Sequence, residues 1–177
     1  QKYVSTKEIR KRILNGEPVY FSANQADEKR TIDSILIAEA IYKGVERVYI
    51  ENAIITGNLD FRIDKKLMNV EECGIDANIL KQLKDYGIEE ILTISTSLYF
   101  YDCLLKGELH AAEFRFDLFE KPQYIIMFDK PVFFAHSTFL KSVDFDYVHF
   151  KEDASFAFTN FEGSAKFDYA SFNRQAS

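Results

Sequence analysis

The chain has 177 residues, a hydrophobic share of 47% and a net charge of −6, enough apolar mass for one packed unit and too much for a disordered chain. Charge balances over residues 1–61, runs four acidic in excess over 62–121 and two over 122–177. Lys and Arg are therefore not gathered as phosphate neutralisation requires, which disfavours direct nucleic-acid binding.

Residues 5–15 predict a short helix. Ser5 or Thr6 supplies its cap, Ile9, Ile13 and Leu14 share one face, and Gly16 offers a left-handed stop. Lys7, Arg10, Lys11 and Arg12 form its solvated side. Pro18 then forbids helix, and Val19-Tyr20-Phe21 predicts a strand. A second helix is expected over about residues 27–43, with Ile32, Ile35, Leu36, Ala40 and Ile41 inward and Gly44 ending it. Residues 1–44 are thus an expected N-terminal helical cap.

Val45 to Phe61 is rich in β-branched residues. Tyr49, Ile54 and Leu59 stand five apart, with Asn52 and Gly57 two before the second and third, which predicts a first coil over 45–61. Residues 62–90 break that spacing. Asp76 suits an N-cap, Asn78 to Tyr86 has helical composition and Gly87 suits its end, so this stretch is an expected helical insertion. The five-residue step resumes within 91–177 at Ile94, Tyr99, Leu104, Leu109, Phe114 and Phe119. Lys121-Pro122-Gln123 interrupts it, and Phe128 leads into a regular array. The four stretches are expected to form a single folding unit.

In that array Phe134, Phe139, Phe145, Phe150, Phe156, Phe161, Phe167 and Phe172 are spaced 5, 6, 5, 6, 5, 6, 5. Two positions before them stand Val132, Ser137, Val143, Val148, Ala154, Thr159, Ala165 and Ala170, all small or β-branched. Neither a helix nor an alternating strand has this period. An internal repeat does. A unit with one large inward residue suits one side of a four-sided coil, whose turns stack at the inter-strand distance of about 4.8 Å.

Ala154-Ser155-Phe156-Ala157-Phe158, Thr159-Asn160-Phe161-Glu162-Gly163 and Ala165-Lys166-Phe167-Asp168-Tyr169 follow a motif of Ala, Asp or Asn, Leu or Phe, and two variable residues, with Ser155 and Lys166 at its second position. The chain resembles the pentapeptide-repeat family from about residue 45, most closely over 126–172. Ser142, Asp153 and Ser164 are sixth residues that depart from the plain motif and resemble an eleven-residue, Phe-rich variant. The resemblance implies a mainly β fold, a right-handed quadrilateral β-helix with N-terminal helices and a helical insertion.

A 22-residue coil would place Phe134 over Phe156, Phe139 over Phe161, Phe145 over Phe167 and Phe150 over Phe172, each stack adding about 0.5–1.5 kcal/mol beyond burial. Phe156→Ala is then expected to cost roughly 3–5 kcal/mol. On the outside Asp144 would meet Lys166, Glu152 would meet Arg174, Asp146 would meet Asp168 and Tyr147 would meet Tyr169. The Tyr147/Tyr169 column, flanked by Phe158, is the candidate interaction surface.

Catalytic signals are sparse. His110, His136 and His149 are the only histidines, and the register turns His136 and His149 outward on different sides, so no shared metal is expected. Cys73 and Cys103 lack zinc-ligand spacing and read as free thiols in a reducing, cytoplasmic compartment. No glycine-rich phosphate loop or nucleophile elbow occurs, no cofactor is expected, and no apolar run reaches the eighteen or so residues of a membrane span.

These features favour a non-enzymatic interaction or scaffold module with an unidentified protein partner. Some relatives in the resembled family mimic DNA and bind DNA gyrase, but the weak acidity of residues 122–177 is a poor match to such mimicry. A small-molecule sensor or enzyme with a pocket between helices and coil is a further alternative. An array reaching Ser177 also leads to the expectation of a chain that continues or of self-association through its C-terminal coil.

Overall fold

The computed structural model describes residues 5–62, 66–113, 120–173, 176 and 177. The chain winds around a four-sided core. Its opening stretch holds α1 (Thr6–Leu14), β1 (Val19–Tyr20), β2 (Thr31–Asp33) and α2 (Ser34–Lys43). The next turn holds β3 (Arg47–Glu51), β4 (Ile54–Thr56), β5 (Leu59–Asp60), then β6 (Leu67–Asn69) and α3 (Ala77–Asp85), and closes with β7 (Glu90–Ile94). The following turn is β8 (Ser97–Tyr101), β9 (Leu104–Leu105), β10 (Leu109–His110) and β11 (Tyr124–Phe128). Then come β12 (Val132–Phe133), β13 (Thr138–Phe139), β14 (Val143–Asp144) and β15 (His149–Phe150). The last described turn is β16 (Ala154–Ser155), β17 (Asn160–Phe161), β18 (Ala165–Lys166) and β19 (Ser171–Phe172).

Corresponding strands of successive turns form four sheets. The first face is β1-β3-β8-β12-β16, the second β2-β4-β9-β13-β17, the third β5-β10-β14-β18 and the fourth β6-β7-β11-β15-β19. All the pairings are parallel except β6 with β7. In the regular part the register advances by 22 residues, as in Val132↔Ala154, Phe139↔Phe161, Val143↔Ala165 and Phe150↔Phe172. This is a mainly β solenoid. Because β1 pairs with β3 and β2 with β4, stacking already begins within residues 19–33.

The phenylalanines line the interior as their spacing requires. Phe134, Phe139, Phe145 and Phe150 are buried and lie 5.8, 5.3, 5.1 and 4.9 Å from Phe156, Phe161, Phe167 and Phe172 of the next turn. Val132, Ser137, Val143, Val148 and Ala154 fill the corners between them. The alternating 5 and 6 spacing has a local cause. Five-residue corners close by a tight turn, with Ser137 N–H donating to Phe134 O and Val148 N–H to Phe145 O. The third residue of each such turn is left-handed: His136 at φ 55°, Tyr147 at 61°, Phe158 at 56° and Tyr169 at 60°. A side chain there costs on the order of 1 kcal/mol, offset by outward stacking of His136 on Phe158 and Tyr147 on Tyr169, at 4.8 and 4.9 Å.

The two N-terminal helices pack on the early turns. Ser5 Oγ accepts from Glu8 N–H to cap α1, and Ile9 and Ile13 are buried. The second helix is shorter than expected. Asp33 accepts from the Ile35 amide and starts α2 at Ser34, while Ile32 is buried from strand β2. Ile35, expected inward, is 63% exposed; Ile37, Ala40 and Ile41 form the buried side. The cap moves the register by setting where the helical turn begins.

Between 45 and 104 the five-residue step holds at Ile54, Leu59 and Ile94, which are buried, and fails at three positions. Tyr49, Tyr99 and Leu104 are not core residues; Val48, Ile50, Leu98, Phe100 and Leu105 are. The first-face strands β3 and β8 are five residues long and alternate, so the count slips by one, which reverses every side chain's face. Phe114 and Phe119, expected on the same step, lie outside the described residues, as does Arg174 of the expected Glu152–Arg174 meeting.

Segment 66–90 adds more than a helix. It contributes β6 to the fourth face, and α3 is capped by Asp76, which accepts from Asn78 N–H. Outward residues Ile91, Ile125, Met127 and Tyr147 of the fourth face pack under Val70, Ile79, Leu83 and Tyr86 of this segment, making a second apolar cluster.

Candidate interaction surface

Three faces of the solenoid bear directly on function. On the third, Asp60, His110, Asp144 and Lys166 stack in register, so no two carboxylates are neighbours in the column. Arg62 grips Asp60 through Nε to Oδ1 at 2.8 Å and one terminal guanidinium nitrogen to Oδ2 at 2.9 Å. Burial opposes the charged form of Asp60, but the Arg62 hydrogen bonds outweigh it and hold the carboxyl below its ordinary value. His110 pairs with Glu108 at 3.0 Å.

The fourth face is sealed, and this corrects the expected aromatic site. Tyr147 is only 8% exposed, closed over by Tyr86, whereas Tyr169 is 61% exposed. Phe158, 82% exposed, does not flank these tyrosines. It stacks on His136 at the corner between the first and second faces, while Tyr147 and Tyr169 occupy the corner between the third and fourth. Asp146 does not stand against Asp168 as an unrelieved like charge, because its Oδ1 accepts from the Asp168 amide at 2.9 Å. His136 lies at the corner between the first and second faces. His149 turns away from the phenylalanines but is buried beneath the insertion.

On the first face a different aromatic ladder runs along the solenoid axis. Tyr49, Tyr99 and Phe133 occupy one register column and Tyr20, Glu51 and Tyr101 the next. Tyr20 lies 5.4 Å from Tyr49, which is 5.8 Å from Tyr99 and 5.4 Å from Tyr101. Phe133 stacks on Tyr99 at 5.3 Å with planes within 9°. Burial, then the Glu51 carboxylate, pushes the Tyr49 phenol up; burial, then Tyr99 and Glu51, does the same to Tyr101. Both therefore stay protonated hydroxyls that donate and accept. Tyr20 is 51% exposed at one end and the others are half-buried.

The grooves are shallower features. One of about 530 Å³ runs between α1, β2 and α2 beside Ile9, Ile35 and Leu36. Another of about 540 Å³ lies between the start of α3 and Lys151, Phe172 and Asn173. Among the described residues no group of three or more His, Cys, Asp or Glu is placed to hold a metal ion, and no helix is long and apolar enough to cross a membrane.

A 22-residue parallel register with one Phe per side is the structural counterpart of a five-residue sequence unit. The family model for pentapeptide repeats, in nine copies, matches residues 126–177. Residues 126–177 are pentapeptide repeats. The match coincides with β11 to β19, where the Phe stacks are regular. No curated protein and no solved structure matches the chain. The less regular turns before residue 126 carry most of the first-face ladder.

Proposed function

We propose that the chain is a non-enzymatic interaction or scaffold module that engages a protein partner through its first face. The observation that carries this reading is the uncovered ladder of Tyr20, Tyr49, Tyr99, Tyr101 and Phe133. Aromatic rings with hydroxyl tips offer large contact area at low conformational cost, and they dominate the energetics of protein interfaces. A rigid sheet holds them in fixed positions, so little is lost on ordering them. On the third face His110 and Lys166 interrupt the carboxylates, which leaves no continuous acidic stripe of the kind DNA mimicry would use. The free thiols Cys73 and Cys103 accord with a reducing, cytoplasmic setting.

The test is site-specific photocrosslinking in cells of the source organism. A benzophenone side chain at Tyr20 is expected to give a discrete protein adduct, and the same group at Ile35, on the exposed side of α2, none. Adducts from Ile35 alone would move the contact surface to the helices.

A further inference from the structure

Buried inside the fourth face is an imidazole with only one of its nitrogens engaged. His149, on β15, is 0% exposed. Its Nδ1 lies 2.7 Å from Ser171 Oγ, while Nε2 is buried with no hydrogen-bond partner among the described residues. Its register neighbour on β11 is Met127, a member of the apolar cluster that receives the insertion. Charged groups reach it from two sides. Lys151 follows on its own strand, and Asp76, the cap of α3, faces it from the insertion. Ser171, on β19, is neutral, and Lys151 and Asp76 are the charged groups that act on the ring.

A proton added here would place a cation in an apolar seam, next to an ammonium and opposed by one carboxylate. Such a charge is costly unless the site opens to water. We propose that protonation of His149 releases the insertion, residues 66–90, from the fourth face and uncovers the apolar strip of Ile91, Ile125, Met127 and Tyr147. The module would then present a second surface in acid that is closed at neutral pH.

Burial, with Lys151 second, pushes His149 down from 6.5 to about 4. The docked form therefore binds the proton less well than a solvated imidazole does. Docking is complete above pH 6.5, weakens as the pH falls below it, and reaches its full loss near pH 4. Over that window the released state gains on the order of 300-fold. Asp60, held down by Arg62, titrates below its ordinary 3.8 and leaves this window to other groups.

Hydrogen exchange, corrected for intrinsic rates, reads this directly. Between pH 7 and 4.5 the amides of residues 77–86 are expected to lose protection on the order of 100-fold, while Val132 and Val143 keep theirs. His149→Phe should abolish the loss. Lys151→Gln, which keeps the imidazole and removes its like-charged neighbour, lowers the cost of the proton in the docked form and should make the loss of protection smaller. Unchanged protection in the wild type would overturn the proposal. So would the same loss in His149→Phe, or a loss undiminished by Lys151→Gln.

Discussion

Tyr86, at the C-terminal end of α3, sets its ring edge-on to Tyr147 at 6.1 Å and to Tyr169 at 5.3 Å. It thereby joins a helix to a solenoid corner. Each edge contact is worth about 0.5–1.5 kcal/mol beyond burial. Tyr86→Ala is expected to destabilise docking of the insertion by about 1–3 kcal/mol, with limited proteolysis cutting within 66–90 before the Phe array is touched. Cleavage no faster than in the wild type would mean that Tyr86 is not the clasp.

The Phe array is deepest in its first turn, Phe134 to Phe150. Phe134 is fully buried, with Phe100 stacked on one side at 5.0 Å and Phe156 on the other. Phe156 is only partly buried. Phe134→Ala should cost about 3–5 kcal/mol by denaturant unfolding, and Phe156→Ala measurably less. Equal losses would show that the last turn is as enclosed as the one before it.

Coil-to-coil contact is closest at a glycine. A Cβ on Gly107 would stand 2.1 Å from the carbonyl oxygen of Gly57, one turn earlier. The obstruction is backbone on backbone, so no rotamer relieves it. Gly107→Ala is expected to cost about 2 kcal/mol or more and to lower Tm accordingly. An unchanged Tm would mean that the turns are further apart there.

The thiols differ in reach. Burial pushes Cys103 up to about 12, and burial together with Glu72 raises Cys73. Thiolate is the reactive form, so a disulfide reagent at pH 8 should leave Cys103 untouched in the native state and label the half-exposed Cys73 slowly. Both should react in denaturant. Rapid native labelling of Cys103 would contradict its placement beneath the second face.

Residues 126–172 were legible because a strict 22-residue period fixes every position at once. Earlier turns were not, since β3 and β8 alternate with period two and a five-residue count runs through them one residue out. The triplets Val48-Tyr49-Ile50 and Leu98-Tyr99-Phe100 carry the corrective signal, an apolar residue on either side of each tyrosine. Reading them as strands would have turned both rings outward and revealed the first-face ladder. The burial of Tyr147 and His149 depends on a segment some sixty residues away. Its one local sign is Tyr124-Ile125-Ile126-Met127-Phe128, an apolar run without alternation, as expected of a strand covered on both faces.

The most direct test of the interaction reading compares two variants in one binding measurement. With the crosslinked partner purified, its Kd is determined for the wild type, for Tyr49→Ala/Tyr99→Ala and for Tyr169→Ala. The account predicts that the first-face double variant weakens binding at least tenfold, about 1.4 kcal/mol, and that Tyr169→Ala leaves it unchanged. Full affinity in the double variant, with loss in Tyr169→Ala, would contradict it and return the contact to the opposite corner of the solenoid.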